Sequence, residues 1–344
     1  MSNRHLPTLL AVFVFALSGC SGSKTTSAGG PVVLQGAGAT APLLAYSKWI
    51  EAYAKVEPAV KIHYEATGSG DGIAKLEQEK VDFAASDIPL TDEQMSKIRS
   101  RPYHFPALMG AIVPVYNLPG IIELKFSGET LAGIFSGRVK NWNDAALAKL
   151  NPGVALPSSR IAVLHRADAS GSTYVFTDFL SKTSPRWKQE IGMGATVAWP
   201  TGDAQRGNEA LAKAIKSTPA SIGYVELNYA NAQSLTYGAV QNAAGKFKKP
   251  DLEALGAAIE VAQGMKHDFR ASLTNAPGEN AYPICTLTWL IVPENIENPA
   301  KLKQLKSFLR WMYEDGQKIA MSMDYGVIQP PLRDYARDQV ANLK

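Results

Sequence analysis

At 344 residues the chain exceeds a comfortable single core, and two domains of roughly 100 to 200 residues each are expected. Its 46% hydrophobic and 19% charged residues are ordinary for a globular protein and argue against disorder and against a multi-span membrane class. The formal charge of +4, spread without long basic runs, argues against nucleic acid as a partner.

Residues 1–19 read as a signal peptide: Arg4 stands in a short polar start, and Leu9-Leu10-Ala11-Val12-Phe13-Val14-Phe15-Ala16-Leu17 follows. That run falls short of the about 20 apolar residues that cross a bilayer, so it is an h-region and not an anchor. Leu17-Ser18-Gly19-Cys20 resembles a bacterial lipobox, which predicts a lipid-modified Cys20, a place in the periplasm or cell envelope, and a flexible tether over residues 20–30. Cys285 is then the single remaining thiol and is expected to be a small buried hydrophobe within Ile284-Cys285-Thr286-Leu287. His5, His63, His104, His165 and His267 lie far apart, none in an H-x-x-x-H arrangement, so no zinc site is expected; no other metal and no cofactor is expected either.

Val32-Val33-Leu34 reads as a short buried strand, and Gly36-Ala37-Gly38-Ala39-Thr40-Ala41-Pro42 leads into a helix with Tyr46, Trp49, Ile50 and Tyr53 on one face. The glycine spacing imitates a dinucleotide fingerprint. That motif wants an acid about 20 residues on, whereas Glu65, after the next strand-like run, lies nearly thirty residues beyond Gly36. A smaller anion fits better, with Thr40 at or near the N-cap and Pro42 in the first turn offering a hydroxyl and backbone N–H groups. The same grammar returns in strand Val60-Lys61-Ile62-His63-Tyr64, loop Ala66-Thr67-Gly68-Ser69-Gly70-Asp71-Gly72 and a helix over 73–80. Ser69 is a candidate ligand there, beside its plainer reading as an N-cap, and the lack of a lysine after the loop argues against a nucleoside triphosphate site.

Val81-Asp82-Phe83-Ala84-Ala85-Ser86-Asp87-Ile88-Pro89-Leu90 reads as a strand ending in small residues and an acid, and Thr91-Asp92-Glu93-Gln94 has capping-box spacing. Asp87 thus falls at a strand end, where open α/β sheets hold their ligands. The interior proline of Ala111-Ile112-Val113-Pro114-Val115-Tyr116-Asn117 points to an edge or a crossing rather than a central strand. At His165-Arg166-Ala167-Asp168-Ala169-Ser170-Gly171-Ser172-Thr173 an apolar strand over 161–164 passes into a helix carrying Tyr174, Val175, Phe176, Phe179 and Leu180. The unpaired N–H groups and partial positive charge of that helix start suit an oxyanion held at Ser170, Gly171 and Ser172. Arg166 adds a planar, always-charged fork of donors. Helical character at 131–135, a capped start at Ser184-Pro185, a helix over 210–215, strands at 222–225 and 286–292, and a helix capped by Asn298-Pro299 complete the alternation, without an internal repeat.

Several of these stretches together resemble the PstS-type periplasmic phosphate-binding proteins of the bacterial phosphate ABC transporter. They are Gly36-Ala37-Gly38-Ala39-Thr40, Gly68-Ser69-Gly70, Val81-Asp82-Phe83 with Ala85-Ser86-Asp87, Gly137-Arg138-Val139-Lys140-Asn141-Trp142, Arg166-Ala167-Asp168 with Ser170-Gly171, and Ile222-Gly223-Tyr224-Val225. They run in the family's order across nearly the whole mature chain. The resemblance implies an α/β, two-lobed periplasmic-binding-protein fold of class II, each lobe a mostly parallel sheet flanked by helices, with the ligand cleft between. Lobe 1 would be discontinuous, residues 31–109 and 285–344, and lobe 2 would be residues 110–284. By the family pattern Thr40, the Ala41 amide, Ser69 and Asp87 would hold phosphate from the first lobe, and Arg166, Asp168, Ser170, Gly171 and Ser172 from the second. Ala41 stands where relatives often carry an aromatic, Ala169 where glycine is common and Ser172 where threonine is common. The implied partners are inorganic phosphate, ABC permease subunits with a cytoplasmic ATPase, and a membrane reached through the lipid anchor, the protein itself being a monomer and no enzyme.

The residue types fit. A buried dianion needs hydrogen bonds and a counter-charge, which three helix starts and Arg166 supply. Asp87 is acceptor-only, so it belongs in an anion site only if the ligand carries a proton, as phosphate does near neutral pH and sulfate does not. Asp168 is expected to orient the Arg166 guanidinium while touching the ligand's edge. Two rival readings are a receptor for another tetrahedral oxyanion (arsenate, sulfate or molybdate) and a phosphate-binding surface lipoprotein without a transport role. A third, a phosphotransfer site with Ser170 as nucleophile, lacks a base, because His165 neighbours Arg166 on an extended segment and should face the other way.

Overall fold

The computed structural model describes residues 30–259 and 269–344. The expected signal peptide, the lipidation at Cys20 and the tether up to residue 29 lie outside them, as does His267. Twelve strands occur among the described residues: β1 (Val32–Gly38), β2 (Val60–Glu65), β3 (Phe83–Ser86), β4 (Pro102–Tyr116), β5 (Lys125–Phe126), β6 (Ala162–Arg166), β7 (Asp203–Gln205), β8 (Ser221–Glu226), β9 (Thr236–Tyr237), β10 (Ala239–Gln241), β11 (Phe247–Lys248) and β12 (Cys285–Pro293). Nine of them form one sheet in the order β2-β1-β3-β12-β4-β8-β6-β7, with β9 added beside β4; a small sheet, β11-β10-β5, stands apart.

The fold is the expected α/β two-lobed type, and β4 is what joins its halves. Residues 102–111 of β4 pair antiparallel with β12, and residues 112–116 pair antiparallel with β8. On the first side β2, β1 and β3 are parallel; on the second β8, β6 and β7 are parallel. Pro114 therefore sits in a strand that is both a crossing and central. It is accommodated there because a proline still accepts: its carbonyl takes the Gly238 N–H at 3.0 Å while its missing N–H asks for no partner.

The C-terminal elements pack back on the first half. The indole N–H of Trp49, on helix Leu43–Val56, donates to the Gly316 carbonyl at 2.6 Å, and Lys301, on helix Pro299–Trp311, pairs with Asp82 at 2.9 Å. Tyr325 donates its hydroxyl to the Ala41 carbonyl at 3.0 Å. Apolar faces read from the sequence lie where expected: Tyr46, Trp49 and Tyr53 are buried, as are Leu305, Phe308, Leu309 and Met312. Cys285 is buried, its thiol pushed well up by burial and directed at the Tyr282 carbonyl, consistent with a packing role. The Thr91–Gln94 capping box forms, as do the Ser184 and Asn298 caps.

Where the two halves meet, Glu226 ends β8 fully buried, with Gly110 of β4 and Thr286 of β12 beside it. Burial lifts its pKa from an ordinary 4.5 to about 8, with the nearby Asp87 charge adding to the rise, although the Asn228 N–H and side-chain amide pull against it. The folded chain then keeps a proton that the unfolded chain has released, so stability is present below pH 4.5 and lost as pH rises through about 8. Calorimetric melting in phosphate-free buffer is expected to give a midpoint that falls between about pH 5 and 9. In Glu226→Gln most of that fall should disappear; an unchanged slope would contradict the assignment.

Candidate functional site

Three strand-loop-helix junctions, after β1, β3 and β6, and a fourth after β2, converge on one cleft. Gly38 ends β1 at φ +138°, so close to β3 that an added Cβ would lie 2.0 Å from the Ala85 carbonyl oxygen; no other residue fits. Its own carbonyl accepts the Gly68 N–H at 2.8 Å, and the Ala39 N–H donates to Ala85 at 2.8 Å, which locks three junctions of the first half together. From the second half, Ala169 accepts the Gly70 N–H at 3.0 Å. A Cβ placed on Gly171 would lie 2.4 Å from Ser69 Oγ and 2.5 Å from Asp87 Oδ2. The jaws touch at Gly171.

All nine residues singled out from the sequence fall into this one cluster. Thr40, Ser69, Asp87, Arg166, Asp168, Ser170 and Ser172 are each at most 9% exposed, which for polar groups demands partners. Ala41 is buried beside Thr40. Two local expectations change. Thr40 is not a cap: Pro42 holds the N-cap position, without a side-chain bond, and the Thr40 hydroxyl instead accepts the side-chain amide of Asn208 at 2.9 Å. Ser69 is not a cap either, because helix Ser69–Glu77 begins at Ser69 itself, earlier than the apolar spacing suggested, with Gly68 at the N-cap. Its hydroxyl accepts the Asp87 N–H at 3.2 Å, and its backbone N–H stands among the unpaired groups of the first turn. Ser170 does cap helix Gly171–Thr183, accepting the Thr173 N–H at 3.1 Å, so the Gly171 and Ser172 N–H groups face outward from that start.

Arg166 is held by Asp168 in a two-pronged pair, Nε to Oδ1 at 2.8 Å and Nη2 to Oδ2, while Gly207 donates its N–H to Asp168 Oδ1 at 3.0 Å. The remaining nitrogen, Nη1, is buried and finds no hydrogen-bond partner among the described residues. Burial works to raise the Asp168 pKa, but hydrogen bonds and charge from Arg166 outweigh it and leave the carboxyl below its usual value. Asp87 goes the other way. Burial lifts it from an ordinary 3.8 to about 6, checked by the hydroxyl of Thr288 donating to Oδ1 and by the charge of Arg166. An unpaired guanidinium N–H, several helix-start N–H groups and one acceptor carboxylate thus line the same buried place.

Three tyrosines brace the loop that carries Thr40. Tyr64 donates to the Ala39 carbonyl at 2.6 Å, Tyr229 to the Thr40 carbonyl at 2.8 Å and Tyr325 to the Ala41 carbonyl. In a trans peptide the N–H points opposite the carbonyl before it, so bonds to Ala39 and Thr40 aim the Thr40 and Ala41 N–H groups away from the tyrosines.

The sequence profile of the PBP superfamily domain matches residues 25–315. A phosphate-binding protein PstS of Haemophilus influenzae is 40% identical over 295 residues, covering 85% of this chain and 87% of that one. One of Xylella fastidiosa is 39% identical over 304 residues, covering 88% and 83%. The chain belongs to the PstS family of phosphate-binding proteins. Among solved structures, the fold matches a high-affinity periplasmic phosphate-binding protein, PfluDING, bound with phosphate, at a TM-score of 0.74 and 17% identity over 90% of this chain and 94% of that one. A phosphate-binding protein from Stenotrophomonas maltophilia gives 0.71 and 18%, over 89% and 93%.

Within this PstS-family cleft the sequence reading passed over Asn208, Tyr229 and Thr288. Asn208 was the most accessible of them: Gly207-Asn208 follows strand β7 and opens helix Gly207–Ser217, the junction grammar once more. Strand β7, three residues long and largely exposed, gave no apolar run to announce it. The others bear on the site through contacts distant in sequence, which spacing does not report. His165, by contrast, behaves as read: its ring stacks on Trp199 with centroids 4.9 Å apart, and its Nδ1 lies 3.1 Å from the Arg166 carbonyl.

Proposed function

We propose that this cleft binds inorganic phosphate, closes over it, and presents the closed form to an ABC permease driven by a cytoplasmic ATPase. The observation that carries the reading is the pairing, in one buried place, of an Arg166 N–H without a partner among the described residues and an Asp87 carboxylate in contact with Gly171. An anion answers the first, and only an anion with a proton to give answers the second. The names of the relatives, phosphate-binding protein PstS, support the same ligand.

Thr40, the Ala41 N–H, Ser69 and Asp87 form the jaw of a first lobe, residues 31–109 and 285–344. Arg166, Asp168, Ser170, Gly171 and Ser172 form that of a second, residues 110–284. The chain passes between them within β4 and just before β12, and bending at those two crossings opens and closes the cleft. No turnover is expected, since the Ser170 hydroxyl serves the Thr173 N–H and His165 bonds to backbone, leaving neither aimed as a base or nucleophile at the other. The protein acts as a monomer held to a membrane of the cell envelope through lipid on Cys20.

Titration calorimetry with phosphate, sulfate and arsenate tests this directly. Phosphate should bind with Kd below about 1 μM, arsenate, which also carries a proton, should compete, and sulfate should not. Tight sulfate binding at neutral pH, or no phosphate binding, would refute the reading. The tyrosine brace adds a smaller expectation: Tyr229→Phe frees the Thr40 carbonyl from one of its donors and should weaken phosphate by roughly 3- to 10-fold, without loss of selectivity.

A further inference from the structure

We infer that Asn208 is a positioning residue that forces the hydroxyls of Thr40 and Ser172 to donate to the bound anion and, through them, ties the two jaws together. Its side chain is fully buried and makes three hydrogen bonds. Oδ1 accepts the Glu226 N–H at 3.1 Å; Nδ2 donates to Thr40 Oγ1 at 2.9 Å and to Ser172 Oγ at 3.3 Å. A backbone N–H can only donate, so the Glu226 contact fixes which end of the amide is oxygen. The amino group must then face the two hydroxyls, and both of its protons are used.

A hydroxyl beside an anion is useful only when its proton points at the anion. Left alone, the Thr40 and Ser172 hydroxyls would be free to turn either way, because each rotates about its C–O bond. By donating to both, Asn208 occupies a lone pair on each and denies each proton a protein acceptor on that side. Neither hydroxyl has another hydrogen-bond partner among the described residues. The protons are left to the ligand. Thr40 precedes helix Leu43–Val56 while Ser172 and Asn208 belong to helices Gly171–Thr183 and Gly207–Ser217, so of the three bonds the one from Nδ2 to Thr40 spans the cleft and the other two anchor Asn208 in the second jaw. The Asn208 side chain has no donor left for the anion, which separates its role from that of the Arg166 side chain.

This inference rests on the cleft being a phosphate site, and the test separates the two. Phosphate Kd is measured by calorimetry for the wild type, Asn208→Ala and Asn208→Asp, and for Asn208→Ala added to Thr40→Val/Ser172→Ala, with the melting midpoint of each ligand-free protein. Asn208→Ala should weaken phosphate by about 10-fold, two oriented donors being lost. Asn208→Asp keeps the shape and the bond to Glu226 but turns donors into acceptors. It should be the weaker binder of the two, since both hydroxyls then donate to Asp and not to phosphate. On the Thr40→Val/Ser172→Ala background Asn208→Ala should cost less than about 2-fold, because the groups it acts through are gone. A purely structural asparagine would cost as much on that background as on the wild type, and that result would overturn the inference. So would an Asn208→Asp protein that melts and binds like the wild type. Absence of phosphate binding by the wild type would instead refute the functional reading beneath it.

Discussion

Asp87→Asn is expected to admit sulfate to a cleft that otherwise refuses it. In the wild type Thr288 donates to Asp87 Oδ1, and Oδ2 is the atom that lies against Gly171, at the start of the second jaw. Ionised, that oxygen can only accept. A phosphate monohydrogen or dihydrogen anion supplies the proton, whereas sulfate presents a bare oxygen and meets it lone pair to lone pair in a buried place. Sites built to bond a ligand hydroxyl reject analogues lacking it by about 10⁴- to 10⁵-fold, and discrimination of that size is expected here. Asparagine offers an N–H₂ to the same position and can donate to either anion, so the ratio of the two dissociation constants should shrink to within about 100-fold. The pH profile follows from the same carboxyl. Burial lifts Asp87 to about 6, so sulfate exclusion should be strongest above that pH. It should relax as the carboxyl gains a proton below it. Competition by sulfate against phosphate at pH 8 and at pH 5 measures both effects; a selectivity unchanged by the substitution would remove Asp87 from the role.

The parts of the site that were legible in the sequence are those made by short-range patterns. A strand, a run of small residues and a helix start follow one another at Gly36 to Pro42, Gly68 to Gly72 and Arg166 to Thr173; Gly68, Gly70 and Gly171 are needed because the jaws approach within contact of one another, and Gly36, Gly38 and Gly72 because neighbouring elements of the first half press on them. Asp87 stood out because an acid at a strand end beside such junctions is chemically odd. The misread details share a physical cause. Thr40 and Ser69 both carry the residue type of an N-cap, and local propensity assigns them to the nearest helix. Asn208 and the Asp87 N–H, brought in by tertiary packing, take those hydroxyls instead. The continuity of β4 was hidden for a related reason. Pro114 suggests an edge or a crossing, yet it accepts through its carbonyl and does not break the strand, and Pro106 lies beside an irregularity in the pairing with β12. Partner choice across the sheet, and the buried Glu226 where the halves meet, depend on which strand lies next to which, and spacing along the chain carries no trace of it.

Gly171→Ala should cost at least about 100-fold in phosphate affinity while leaving the ligand-free protein folded. The added methyl would fall 2.4 Å from Ser69 Oγ and 2.5 and 2.6 Å from Asp87 Oδ2 and Cβ. Neither neighbour can yield: Ser69 is the first residue of its helix and Asp87 is tied by its N–H to Ser69 and by its carboxylate to Thr288. The jaws must therefore stand further apart. Thr40, Ser69 and Asp87 then cannot reach an anion seated on the Gly171 and Ser172 N–H groups, and two or more hydrogen bonds to a charged ligand, each worth about 1.5 to 3 kcal/mol, are lost together. Folding is a separate matter. Position 171 is the first residue of its helix, and alanine there reduces the freedom of the unfolded chain, so an opened protein should melt no lower than the wild type without ligand. Phosphate should then raise the melting midpoint of the wild type strongly and that of Gly171→Ala little. An alanine variant that binds within about 10-fold of the wild type would mean that the jaws do not need to meet at this glycine for the ligand to be held.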